Sequence, residues 1–128
     1  MAQRTFDRAQ RVGGQIQRVM AELLRQGISD PRLSTVTITG VTTTRDLRLA
    51  RIYFAAPDGA EKKDLFLSAF ESAKGFIKRE LARELGLRYM PDIQFFYDGS
   101  FDYGDQINRM LKSIQADDEF HTPPTGEK

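Results

Sequence analysis

Apolar residues along this chain recur with two different periods, and the switches between them mark its elements. Val12, Ile16, Val19, Met20 and Leu23 follow steps of three and four, which predicts a helix over residues 5–26 with one buried stripe. Gly27 stands where a left-handed residue would end that helix, so that Ile28 packs back on Leu23. Asp30-Pro31-Arg32-Leu33 reads as a turn, because proline fixes its own φ and biases the preceding residue away from helix. The β-branched alternation from Thr35 to Thr44 predicts a strand. Val36 and Ile38 share one face while Val41 is out of phase, and a bulge at Gly40 would restore it. Arg45-Asp46-Leu47 closes a hairpin into a second strand, with Ala50, Ile52 and Phe54 on one face and Arg51 and Tyr53 on the other.

The helical period returns in Phe66, Ala69, Phe70, Ala73, Ile77, Leu81 and Leu85. Gly75 falls inside it, and a glycine in a helix interior costs about 1 kcal/mol relative to alanine. The pattern therefore predicts two helices joined at a kink, Ala73-Lys74-Gly75. Pro91 introduces a third strand, with Ile93, Phe95 and Tyr97 on one side and Gln94 and Phe96 on the other. Aromatic residues on both faces suit either core packing or the stacking of exposed bases. After the turn at Asp98-Gly99-Ser100, the stripe Tyr103, Ile107, Met110, Leu111 and Ile114 is a candidate short C-terminal helix. Residues 115–128 read as a disordered acidic tail behind a domain spanning 1–114. The order α-β-β-α(kink)α-β, with helices covering one face of a three-stranded sheet, makes a two-layer α+β domain.

Composition narrows the class. The chain has 128 residues, 40% of them hydrophobic, enough for one core without staples. It has no cysteine, hence no disulfide framework, and a reducing cytoplasm fits. No signal-like or membrane-length apolar run occurs, so secretion and membrane spanning are not expected. The net charge of +1 hides an asymmetry: residues 1–88 hold 16 Lys/Arg against 10 Asp/Glu, and residues 89–128 hold 3 against 8. A basic body for a polyanion and an acidic end is one reading; an ordinary surface with an acidic tail is the other. On the first helix, Arg4, Arg8, Arg11, Gln15, Arg18, Glu22 and Arg25 form one ridge with five arginines and a single acid, a pattern that suits phosphates. Lys74, Lys78 and Arg79 surround the expected kink, and Arg45, Arg83 and Arg88 complete the candidate RNA-binding set.

Catalytic chemistry is not legible. His121 is the single histidine and lies in the tail, which argues against a Ser-His-Asp machine or a histidine metal cage. No G-x-x-x-x-G-K-[ST] loop occurs. Asp98, Asp102 and Asp105 suit turns and caps better than a magnesium ion. A binding protein is expected, with no enzymatic activity, cofactor or metal.

Several stretches together resemble the bacterial ribosome-binding factor A family across residues 5–114. They are Asp7-Arg8-Ala9-Gln10-Arg11-Val12, Asp30-Pro31-Arg32-Leu33, Ala50-Arg51-Ile52-Tyr53, Ala73-Lys74-Gly75-Phe76-Ile77, Leu87-Arg88-Tyr89-Met90-Pro91, Phe95-Phe96-Tyr97-Asp98 and Tyr103-Gly104. The resemblance implies a type II KH-like domain in which an Ala-x-Gly kink, here Ala73-Lys74-Gly75, replaces the G-x-x-G loop. It implies binding to the free 30S subunit and its 16S rRNA during late maturation. It also implies support of 5′-end processing of the precursor rRNA and of growth in the cold, with assembly GTPases as further partners of a monomeric, cytoplasmic protein. With one glycine in place of two, a binding mode led by charge and shape is expected rather than base readout. The competing expectation is a protein-interaction module that recruits a GTPase or ribosomal protein without touching RNA.

Overall fold

The computed structural model describes residues 2–101, with side chains from Phe6 to Ser100. The candidate helix at 103–114 and the tail at 115–128 lie outside the described residues. Five elements make up residues 2–98: α1 (Ala2–Glu22), β1 (Thr37–Thr43), β2 (Leu49–Ala55), α2 (Lys63–Leu85) and β3 (Asp92–Tyr97). Residues Gly99–Phe101 form a single 3-10 turn.

The stripe predicted on α1 is the one that is buried. Val12, Ile16, Met20 and Leu23 join the core, and Val19 packs at its margin. The helix lies unusually close to β1 because position 13 has no side chain. A Cβ on Gly13 would sit 3.0 Å from the Val41 carbonyl oxygen. At the same contact the Thr43 hydroxyl donates to the Ala9 carbonyl at 2.7 Å. The helix does not end on a left-handed glycine as expected. Its last turn widens into a π-type turn over Leu23–Gly27, closed by the Ile28 amide donating to the Leu23 carbonyl at 2.8 Å. Gly27 lets that turn press on its neighbour, since a Cβ there would come within 2.9 Å of Leu23 Cδ2.

Asp30 then caps a 3-10 turn at Pro31–Leu33 by accepting from the Arg32 amide at 2.9 Å. β1 and β2 pair antiparallel, with the register shifting between Ile38 and Gly40. The bulge has the predicted effect. Ile38 faces Phe54 and Val41 faces Ile52, so both apolar residues of β1 reach the core side. β3 adds parallel to β2, giving the sheet order β1-β2-β3. A parallel pair needs a long crossover connection, and α2 supplies it.

Phe54 on the central strand is the hub of the core. Its ring meets Phe66 and Tyr97 edge-on at 6.1 and 5.7 Å and Phe70 at 5.0 Å. Phe70 in turn stacks on Phe95 at 4.3 Å. Burial of Phe66, Ala69, Phe70, Ile77 and Leu81 confirms the apolar face predicted for this stretch. The predicted break in it is corrected: residues 63–85 form one unbroken helix through Ala73-Lys74-Gly75. The balance of energies explains why. One interior glycine costs about 1 kcal/mol, whereas Phe70 and Ile77 on either side are both fully buried, each gain amounting to roughly 1.5–3 kcal/mol. The helix ends instead at Gly86, whose φ of 62° is the left-handed conformation a side chain would disfavour.

Gly75 is consequently required neither by a positive φ nor by crowding, because a Cβ there would meet only the Arg79 guanidinium at 3.6 Å. Gly75→Ala is expected to stabilise the domain by about 1 kcal/mol, read as a higher midpoint in urea at unchanged slope.

Candidate nucleic-acid interface

Helical spacing places Lys74 and Lys78 four residues apart on the flank of α2 that faces β3. Both ammonium groups converge on one carboxylate. Asp92 Oδ1 lies 3.6 Å from Lys74 Nζ and 3.3 Å from Lys78 Nζ. The carboxylate is fixed from behind: Pro91 before it is buried, its own amide donates to the Arg48 carbonyl at 2.9 Å, and Oδ1 accepts from the Ile93 amide at 2.9 Å. Burial alone would raise the Asp92 pKa. The hydrogen bonds from Lys78 and the Ile93 amide and the charges of Lys74 and Lys78 outweigh it and hold the carboxyl below its ordinary value. A depressed carboxyl pKa means the pairing is intact above the usual carboxylate range and is lost as pH falls through the lowered value.

The other predicted cations do not join this pair. One residue beyond Lys78 is about 100° around a helix, so Arg79 stands on the outward ridge. It is exposed beside Gly75 and forms no ion pair among the described residues. Arg83 points to the opposite flank, where it pairs with Glu80 and lies 4.0 Å from Glu84. Those two acids line a groove of about 330 Å³ together with Arg18, Val19, Glu22 and Leu23 of the first helix. Arg25 is paired there with Glu22. The one acid of the ridge expected on α1, Glu22, thus screens Arg25, and the C-terminal end of the ridge is a mixed-sign surface. Arg8 and Arg11 in the N-terminal half are exposed and form no ion pair among the described residues. The side chain of Arg4 lies outside the described residues. Arg45 is exposed at the tip of the hairpin.

Within the motif expected to form the kink, Ala73 packs against the core, Lys74 turns to Asp92 and Gly75 faces outward. Ala73 also borders a shallow groove of about 440 Å³ with Phe76, Ser72 and the loop at 27–30. Arg88 lies on the loop between α2 and β3, with its guanidinium 5.4 Å from the centre of the Tyr89 ring. That ring is 77% exposed. Two features of the candidate site escape a reading of the sequence. Asp92 meets Lys74 only through the docking of α2 on β3, which no local spacing encodes. Tyr89 has a local signal, an aromatic residue beside an arginine in a Gly/Pro-bounded loop, but no periodicity to mark it as exposed. Among the described residues no helix is long and apolar enough to cross a membrane, and no cluster of three or more potential metal ligands occurs.

Comparison with known proteins adds to this geometry. A family model for ribosome-binding factor A matches residues 8–111. The ribosome-binding factor A of Desulfatibacillum aliphaticivorans is 50% identical over 111 residues, covering 87% of this chain and 90% of that protein. That of Desulfosudis oleivorans is 46% identical over 114 residues, covering 89% and 88%. Among solved structures, the crystal structure of ribosome-binding factor A from Thermus thermophilus superposes with a TM-score of 0.60 at 27% identity, over 70% of this chain and 94% of that one. A homology model of the Thermus thermophilus protein, fitted into a cryo-electron microscopy map of its complex with the 30S subunit, gives 0.54 at 28% identity, over 68% and 91%.

Proposed function

This chain belongs to the ribosome-binding factor A family, and from that premise we propose that it binds the free 30S ribosomal subunit and its 16S rRNA late in maturation. The observation that carries the reading is the pair of lysines on one flank of α2, held close together by a carboxylate at the sheet edge. Two like charges that near each other repel unless an anion sits between them, and an RNA phosphate supplies the same charge as Asp92 from outside. Half-exposed ammonium groups of this kind reach a phosphate backbone without needing base edges, which structured RNA keeps out of reach. Arg79 and Arg88 extend the positive surface along the helix and into the following loop, and Arg8, Arg11 and Arg45 offer further phosphate contacts. A relative seated on the 30S subunit supports the same partner.

On this reading the protein supports 5′-end processing of the precursor rRNA and growth in the cold. It works as a monomer in the cytoplasm, alongside the assembly GTPases that act on the same particle, and it carries out no chemistry itself. Sucrose-gradient sedimentation with purified subunits tests the partner. The protein is expected in the 30S fractions and absent from 70S fractions; equal distribution over both, or recovery only at the top of the gradient, would refute the proposal.

A further inference from the structure

The helices cover one face of the sheet, and the opposite face carries a second set of groups suited to RNA. Strand pairing aligns Gly40, Tyr53 and Phe96 in one row across β1, β2 and β3, and Thr42, Arg51 and Gln94 in the next. Tyr53 and Phe96 stack on each other at 5.6 Å with an interplanar angle of 28°, and Phe96 remains 39% exposed. On the other side of Tyr53 the row is empty, because position 40 is a glycine and a Cβ built there would meet nothing within 4 Å. Its φ is not positive, so neither backbone conformation nor crowding calls for glycine. A glycine in a strand weakens it, and such a site often marks the close approach of a ligand. Arg51 is half-buried, forms no ion pair among the described residues and lies two residues, about 7 Å, along the strand from Tyr53. That separation suits a base and its flanking phosphate. Thr42 and Gln94 offer exposed hydroxyl and amide groups beside it.

We infer that this open sheet face binds unpaired RNA: one base stacks on Tyr53 over Gly40, continuing the stack with Phe96, and Arg51 takes the adjacent phosphate. Aromatic platforms of this kind tolerate any base, since every base has a π-face. The site stands apart from the lysines of α2, which lie on the helical side of the sheet. The domain would therefore hold structured RNA on one side and a single-stranded segment on the other. Arg51 decides between RNA and an apolar protein segment as the occupant, because a guanidinium with no carboxylate partner among the described residues, at the centre of the face, calls for an anion.

The test uses the full chain and a single-stranded RNA hexamer carrying 2-aminopurine at a central position. Stacking on Tyr53 is expected to quench its fluorescence, and the same hexamer annealed to its complement is expected to give no change. Phe96→Leu and Tyr53→Leu should each weaken binding at least about fivefold, the lower end of what one stacked base contributes. Gly40→Val should abolish quenching without lowering the melting temperature, because a β-branched residue suits a strand and the space is open. Quenching is read on the hexamer and the α2 lysines on 30S sedimentation, so that failure at one site is separable from failure at the other. Absence of quenching by the native protein, or quenching that survives Gly40→Val, overturns the inference. So does loss of ribosomal-protein capture by Tyr53→Leu with no RNA binding to lose, which would assign the face to a protein.

Discussion

Phe54→Ala is expected to destabilise the domain by about 3–5 kcal/mol, the range for removing a buried phenylalanine ring. Three aromatic contacts meet on this one side chain, from Phe66, Phe70 and Tyr97. They tie both ends of the β2–α2–β3 crossover to the central strand. The cavity left behind would be lined by rings that are themselves held by partners, Phe70 by Phe95 above all, so collapse around it is restricted. A domain of this size has total stability of about 5–15 kcal/mol, and the variant is expected to be largely unfolded at growth temperature if the native value is at the low end. Urea titration followed by circular dichroism measures the loss. A change below about 1 kcal/mol would mean that Phe54 is not the hub described.

The second large effect concerns binding rather than folding. Lys74→Ala/Lys78→Ala is expected to weaken association with the 30S subunit by about 10–100-fold at moderate salt, on the scale of a few kcal/mol for two charge-assisted phosphate contacts. The melting temperature should move little, because ion pairs with this exposure contribute about 0–1 kcal/mol. Filter binding with labelled subunits reads the affinity. Asp92→Asn is the informative control. It removes the competing carboxylate while leaving both ammonium groups in place, so it should bind at least as tightly as the native chain. Weaker binding by Asp92→Asn would show that the carboxylate positions the lysines rather than competing with RNA for them.

The two-layer architecture is legible because each core residue is one member of a period. Ile16 and Met20, or Ile93 and Phe95, declare their faces without any knowledge of the partner layer. Even the bulge is readable to within one residue: Val41 is out of phase with Ile38 and only an extra residue reconciles them, but that residue is Thr39 and not Gly40, which pairs with Tyr53. The break that Gly75 suggests does not form, for an energetic reason. A local penalty near 1 kcal/mol does not interrupt a helix whose flanking residues are fully buried, and propensity yields to packing.

The candidate site is less legible than the fold. The spacing of Lys74 and Lys78 places them together, but the anion between them is 14 residues beyond Lys78 and arrives only when β3 docks. The screening of Arg25 and Arg83 was readable, because Glu22 and Glu80 stand three residues before them on the same helices. Counting arginines along a ridge hides such pairs; pairing each with its neighbours at i−3 and i−4 reveals them. The open sheet face could be placed by alternation, but whether Tyr53 and Phe96 are covered is a tertiary fact.

An α2 flank that grips folded ribosomal RNA through cations must make 30S binding depend on salt, and that dependence is the most direct test. A plot of log affinity against log salt for the native chain should fall steeply, and Lys74→Ala/Lys78→Ala should flatten it by about 1.5, the slope carried by two phosphate contacts. Parallel lines for the two proteins would contradict the claim, whatever their separation.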